Sequence, residues 1–284
     1  MKLSLIWNVT KETFSKWSDD KAPKLAASLS FYTIFSIAPL LLLIIAIAGF
    51  VFGNDAAQGR IVGELQSFVG KESAVLIQNA IKQSSNIQSG IIATVIGVVT
   101  LLLGASGVFL ELQDSLNMIW KVRRKPGKAI MAFLKSRLIS FALIIAVGAL
   151  LMASLIVSTL ITALSGFIER YISIPAFVLS LTDFIVSLII MVVLFSMIYR
   201  VLPDVKLSWK DVRIGGIITS LLFILGKYLI SLYLGRSSVS STFGAAGSLA
   251  IFIVWIYYTA QILFLGAEFT YVYAVRFGSG VIPK

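Results

Sequence analysis

Six predominantly apolar runs constrain this chain more than any other feature of its sequence. A helix rises ~1.5 Å per residue, so about 20 apolar residues cross a hydrocarbon core ~30 Å thick. In lipid every backbone polar group must be bonded internally, so such runs fold as helices. We predict an all-α, polytopic membrane protein with a single membrane domain over residues 1–284. Its six predicted transmembrane helices cover residues 29–53, 90–110, 138–164, 177–199, 214–234 and 248–275.

The segments between the runs predict amphipathic helices at the membrane surface. Residues 1–28 form an arm in which Trp7, Phe14 and Trp17 stand among lysines, a pattern typical of a juxtamembrane helix on an anionic leaflet. The first apolar run begins too late and is too long for a cleavable signal peptide. Residues 54–89 alternate charged and apolar side chains and predict short amphipathic helices on the opposite side.

The distribution of basic residues predicts the orientation. Of the 24 lysines and arginines, eighteen fall on the side of the N-terminal arm and five on the other side, with Lys227 inside a span. Basic residues are retained on the cytoplasmic side of inner membranes. We therefore expect both termini on the cytoplasmic side. The basic turn with Arg123, Arg124 and Lys125 contributes to this asymmetry, and it could also bind anionic lipid headgroups.

The residue types that are missing exclude several chemistries. The chain has no cysteine and no histidine, which removes the usual zinc sites, Ser-His-Asp triads and imidazole relays. The net charge of +11 lies in short segments between apolar runs, not on one face of a soluble module, so nucleic acid is not an expected partner. We expect no enzymatic activity, no metal and no cofactor; the expected partners are membrane lipids.

Lys227 is the sharpest single candidate for a functional residue. An ammonium inside a span costs roughly 2.5–3.5 kcal/mol on insertion scales, so it should face a partner or a wet cavity. Asp183 is predicted at a comparable depth in the fourth span. Lys227 could form a site for an anionic substrate or a lipid headgroup, balanced by Asp183. Equally, the two could form a structural ion pair. Alternatively, the aliphatic side chain of Lys227 could extend its ammonium to the outer membrane–water interface.

Glu268 and Gln261 lie seven residues apart in the last predicted span, hence on one face of a helix. A carboxylate at that depth could couple transport to a proton gradient. The alternative, which we favour, is a capping or interhelical hydrogen bond near the headgroups, for example to Arg200 or Lys210. In the first span, Tyr32 and Ser36 precede a predicted helix kink at Pro39; such hydroxyls can line a polar path, but more often they bond their own helix.

Three stretches carry a family resemblance: AASLSFYTIFSIAPLLLL at 26–43, YRVLPDVKLSWKDVRIGG at 199–216 and FGAAGSLAIFIVWIYYTAQILFLGAEFTYVYA at 243–274. Together they resemble the YihY/BrkB family of bacterial inner-membrane proteins, once labelled ribonuclease BN. The resemblance implies six spans and roles proposed to include serum resistance and export of lipid-like or other solutes. The nuclease label is disfavoured because the carboxylates form no evident two-metal site.

Three functions remain open from the sequence. The leading hypothesis is an inner-membrane transporter or flippase-like protein for an amphiphilic or anionic substrate, with a polar path through the bundle. The second is a membrane scaffold that organises lipids or partners without transport. The third, a membrane enzyme, has the least support. The glycine-rich second span suits either packing within the chain or a homo-oligomer.

Overall fold

A computed structural model describes residues 3–52, 91–122, 176–236 and 239–283, with isolated positions between 58 and 79 and between 138 and 157. Six helices and two short strands make up these ranges. The helices are α1 (Leu3–Asp19), α2 (Ala22–Phe52), α3 (Ile91–Ile119), α4 (Ala176–Val201), α5 (Trp209–Arg236) and α6 (Val239–Arg276). Strand β1 (Val205–Lys206) pairs antiparallel with β2 (Ile282–Pro283).

Four described stretches are long and apolar enough to cross a membrane: Ala22–Leu42, Phe184–Val201, Trp209–Ile230 and Leu249–Arg276. They correspond to the first, fourth, fifth and sixth predicted spans, and α3 covers the second. The third predicted span, 138–164, and the segment 54–89 lie largely outside the described residues. The prediction of a helical membrane protein is therefore confirmed, while the number of six spans stays a prediction.

The arm is shorter than predicted because the chain turns at Lys21. This residue has a left-handed backbone (φ 53°), and α2 begins directly after it at Ala22 instead of at residue 29. Ala22 and Ala26 are fully buried, so packing extends the helix beyond its most apolar part. Within the arm, Trp7 and Phe14 are exposed and available as membrane anchors. Trp17, by contrast, packs against the core of the bundle, so it is not an anchor.

The arm helix α1 packs lengthwise against the C-terminal end of α6. Arg276 forms an ion pair with Glu12, and the Lys16 ammonium lies 4.9 Å from the centre of the Tyr271 ring. Residues later in α1 contact residues earlier in α6, so the two helices are antiparallel. The two ends of the chain thus meet at one end of the bundle, here called the arm end. This agrees with an even number of crossings; which side of the membrane it faces stays a prediction.

The glycines of α3 pack against α2. A Cβ at Gly104 would lie 3.1 Å from Pro39 Cγ, and one at Gly107 would lie 3.4 Å from Ser36 Oγ and 3.6 Å from Tyr32 Cδ1. Small residues at these positions let the two backbones approach closely. Tyr32, Ser36 and Pro39 therefore line a seam between helices, and α2 continues through Pro39. The nearby hydroxyls of Ser30 and Thr33 bond carbonyls of their own helix, as in the commoner of the two predicted alternatives.

Helices α4, α5 and α6 form the main core around Tyr199. The Tyr199 hydroxyl donates to the Leu263 carbonyl at 2.8 Å and lies 2.9 Å from Thr219 Oγ1, so it joins all three helices. Gly215 faces Thr270 and Gly216 faces α4, which permits both contacts of α5 at close range. A hydrogen bond within a low-dielectric core is costly to break. This unit provides a rigid frame for α6.

Hydrogen bonds at the arm end connect the loop between α4 and α5 to α3 and the C-terminal tail to α5. Asn117 at the end of α3 donates to Asp204 at 2.9 Å and accepts from the Asp204 amide at 2.8 Å. After β1, Asp211 in the first turn of α5 accepts from the Ser279 amide at 3.1 Å and the Ser279 hydroxyl at 2.8 Å. The loop between α4 and α5 is thereby bound to α3, and the C-terminal tail is bound to α5.

Asp211→Ala is expected to release this tail. The substitution removes both hydrogen bonds from Ser279 and a carboxylate near a helix N-terminus, where negative charge is favourable. Hydrogen–deuterium exchange of peptides covering residues 277–283 should then rise at least tenfold, corresponding to about 1.4 kcal/mol or more of local stability. Peptides of α2 serve as the internal reference and should not change. Unchanged exchange in the tail would show that the β1–β2 pairing alone retains it.

Candidate functional site

Besides Thr259 Oγ1, two polar side chains of α6 have buried oxygens that lack a hydrogen-bond partner among the described residues. Glu268 is fully buried, and neither of its carboxylate oxygens has a hydrogen-bond partner among the described residues. Gln261 Oε1 is also buried and unpaired within the same set of residues. The two residues lie two helical turns apart, about 10 Å along one face of α6. This confirms the predicted shared face, and it shows two groups whose hydrogen-bonding capacity is unused.

Three charged residues surround Glu268. Asp20 lies within hydrogen-bonding reach of the Glu268 carboxyl, and Lys121 and Lys16 lie within electrostatic range. Lys121 forms an ion pair with Asp20 Oδ1, while Asp20 Oδ2 is buried and has no donor in the described part of the chain. We call Lys16, Asp20, Lys121 and Glu268 the Glu268 cluster. The cluster brings together the C-terminal ends of α1 and α3 and the C-terminal half of α6.

Aromatic side chains enclose the cluster. Trp120 contacts the ring of Tyr271 edge to face at a centroid distance of 6.1 Å, and the Lys16 ammonium also lies over this ring. The indole nitrogens of Trp17 and Trp120 are buried, and no acceptor for either is found in the described ranges. The arm end therefore holds unused donors as well as unused acceptors, close to a boundary between apolar core and charged surface.

The local backbone shows why Lys121 is placed here. It follows α3 with φ 57°, and the bonds from the Lys121 amide to Met118 and from the Val122 amide to Asn117 close a Schellman motif. Glycine is the usual residue at that position, because a left-handed backbone is unfavourable for residues with a Cβ. Lysine at this position lacks the conformational freedom of glycine, and its ammonium forms the ion pair with Asp20.

The other predicted site residues are placed as follows. Lys227 is partly buried in α5 and is not free of partners. Gly226 faces Tyr258 in α6, which puts Lys227 about ten residues, or ~15 Å, from the level of Glu268, so the two do not pair. Asp183 belongs to α4, but its side chain lies outside the described residues, so its pairing with Lys227 stays a prediction. Arg123, Arg124 and Lys125 also lie outside them.

Neither Arg200 nor Lys210, the two partners suggested for Glu268, bonds its carboxyl, whose oxygens have no hydrogen-bond partner among the described residues. The broader expectation of a capping or interhelical bond stays a prediction. Arg200 donates to the Leu207 carbonyl at 2.8 Å and stacks over the ring of Trp209 at 4.3 Å, which orients it towards its own loop. Lys210 is exposed in the first turn of α5. The structure instead brings residues of α1 and α3 to Glu268. Among the residues that the structure describes, no group of three or more carboxylates or other usual ligands could hold a metal ion.

Most of the chain matches a known protein family. A profile described as "Virulence factor BrkB" matches residues 13–281, almost the entire chain. The chain belongs to the BrkB family. This confirms the resemblance seen in the three sequence stretches, and the match includes the second half of α1 and the tail as far as residue 281.

Relatives of this BrkB-family protein are named as membrane proteins. The chain is 27% identical to a UPF0761 membrane protein of Ralstonia nicotianae, covering 92% of this chain and 59% of that protein. It is 30% identical to one of Verminephrobacter eiseniae, covering 93% and 62% of the respective chains. For one of Psychrobacter the identity is 25%, with 98% and 50% covered. The chain thus spans half to three-fifths of these relatives' length. No solved structure matches it.

Proposed function

We propose that this protein moves an amphiphilic, anionic, lipid-like substrate across the bacterial inner membrane. The observation that carries the proposal is the row of unpaired polar oxygens on α6, formed by Gln261 and Glu268. Ionisable residues inside membrane helices are rare and are characteristic of substrate paths and ion relays. Family membership supports a membrane location, and the basic-residue asymmetry supports an inner membrane with cytoplasmic termini.

The free energy of unpaired groups favours a path over a purely structural role. Leaving a buried donor or acceptor without a partner costs about 1–3 kcal/mol, and more for a charged group. A fold selected only for stability would replace Glu268 by an apolar residue or place a donor beside it. We infer that the unused oxygens serve an occupant that enters and leaves, such as water, an ion or a polar headgroup.

A scaffold without transport is the second candidate, and one observation favours it. The glycine contacts of α5 with α4 and α6 and the three-helix hydrogen bonds of Tyr199 form a closely packed unit. Such packing would suit a protein that presents a fixed surface to lipids or to further copies of itself. Neither proposed function includes an enzymatic activity.

The experiment is a lipid-movement assay with purified protein in vesicles. The probe is phosphatidylglycerol with a fluorescent NBD label on one acyl chain, and dithionite quenches only the label in the outer leaflet. Empty vesicles should lose about half of their fluorescence. Vesicles that contain the protein should lose clearly more than half. Loss equal to that of empty vesicles, with and without an imposed proton gradient, would exclude this lipid class and favour the scaffold.

Lys227→Ala is expected to reduce the movement of anionic lipid selectively. If the ammonium attracts the headgroup, the rate for NBD-phosphatidylglycerol should fall about tenfold, because one lost charge-assisted contact costs about 1.5 kcal/mol. The rate for zwitterionic NBD-phosphatidylcholine should change less. Lys210→Ala, an exposed lysine of the same helix, is the matched control. Equal rates for both lipids in Lys227→Ala and wild type would assign Lys227 a structural role only.

A further inference from the structure

We propose that Asp20 and Glu268 hold one exchangeable proton between their carboxyl groups, which makes the Glu268 cluster the proton-coupling site of transport. The inference rests on the proposed function for its role in transport, but the proton site itself does not require it. Nothing in the family membership assigns such a site, and its two carboxylates come from opposite ends of the chain.

The geometry of the two carboxyl groups is the first reason. Asp20 follows Lys16 by one turn and Glu268 precedes Tyr271 by one turn, so the antiparallel packing of α1 on α6 brings the two carboxyls to the same place. Asp20 Oδ2 and both oxygens of Glu268 nevertheless lack a donor in the described residues. Two ionised carboxylates are both acceptors and repel each other. A single proton turns one of them into a donor, so the same approach becomes a hydrogen bond. Carboxyl pairs that face each other at such range share one proton in other proteins.

The basic groups around the pair do not supply the missing donor. Lys121 from α3 is engaged with Asp20 Oδ1, and Lys16 from α1 lies over the Tyr271 ring of α6. Tyr271, Lys16, Asp20 and Lys121 are the titratable groups placed at Glu268 by the helices packed against it there. Lys21 in the turn between α1 and α2 and Lys24 in the first turn of α2 are exposed to the surroundings. The basic groups reduce the repulsion without satisfying the Glu268 oxygens.

The position of the pair links protonation to helix movement. Asp20 lies in the turn between α1 and α2, and Glu268 lies on α6, which the Tyr199 hydrogen bonds anchor to α4 and α5. Proton binding forms one O–H bond on a carboxylate oxygen and a hydrogen bond to the other carboxyl, and it holds the turn against α6. Proton release breaks that O–H bond and leaves two repelling carboxylates. The turn between α1 and α2 is then free to move away from α6.

The test is pH-difference infrared spectroscopy of the full-length protein in lipid nanodiscs. Between about pH 6.5 and 9 exposed carboxyls remain ionised, so a carbonyl stretch from a protonated carboxyl that changes with pH reports a buried one. We expect such a band in the wild type, its loss in Glu268→Gln and a shifted frequency in Asp20→Asn. Asp19→Asn, the adjacent exposed carboxylate, should leave the band unchanged.

Several outcomes would overturn the proposal. No pH-dependent band in the wild type, or the same band in Glu268→Gln, would exclude a proton on Glu268. An unchanged band frequency in Asp20→Asn would exclude Asp20 as the partner. A carboxyl signal that responds to added Na⁺ at constant pH, with N-methylglucamine as the reference cation, would identify a metal cation in place of the proton. The readout needs no transport, so failed lipid movement with an intact band would reject the proposed function alone.

Discussion

Gly216→Ala is expected to destabilise the bundle by forcing α4 and α5 apart. A Cβ at this position would lie 2.8 Å from the backbone carbonyl oxygen of Val192 and even closer to Ser196 Oγ. A backbone atom cannot rotate away, so α4 and α5 must separate. Overpacking of this kind costs about 1–3 kcal/mol, which should lower the apparent Tm in detergent by about 5 °C or more. Thermal unfolding followed by fluorescence-detected gel filtration measures it.

Gly59→Ala is the control for this substitution. Gly59 is an exposed helical position, and no described atom lies within 4 Å of a Cβ built there. Alanine favours helix over glycine by about 0.5–1 kcal/mol, so its Tm should stay equal or rise slightly. A Tm of Gly216→Ala equal to that of Gly59→Ala would show that α4 and α5 do not approach as closely as the structure indicates.

Glu268→Gln is expected to abolish lipid movement while stabilising the protein. The neutral amide keeps the shape of the side chain, removes a buried charge that lacks a donor, and supplies an amide N–H to Asp20. The apparent Tm should therefore rise, because relief of an unsatisfied buried group contributes about 1–3 kcal/mol. The rate of NBD-phosphatidylglycerol movement should fall at least tenfold, because the amide cannot bind and release a proton.

The opposite signs of these two effects make the prediction specific. A mutation that merely damages the fold lowers both stability and activity, whereas residues kept for function are often destabilising. Asp19→Asn, beside Asp20 but exposed, should change neither quantity. A lowered Tm together with lost activity in Glu268→Gln would identify the carboxylate as a structural group and weaken the case for a path along α6.

The contacts of Arg200 illustrate where prediction from the sequence was misleading. Charge and depth made Arg200 a reasonable partner for Glu268, since both were expected near the same interface. The structure directs Arg200 back to Leu207 and Trp209, and the β1–β2 pairing helps to hold that loop in place. A loop of a few residues decides this choice through its own backbone conformation, for which hydropathy and charge contain no information.

The sequence by itself determined the membrane class, the approximate helical runs and the shared face of Gln261 and Glu268. Each depends on local physics: apolar length against bilayer thickness, and the 3.6-residue period of the helix. Only the tertiary structure decided that Asp20, Lys121 and Glu268 meet. Their positions are separated by about a hundred residues or more. They meet because α1 packs antiparallel along the end of α6, and Trp120 at the end of α3 packs on Tyr271 of α6. Register is a property of side chains packing between helices, and no single segment contains it.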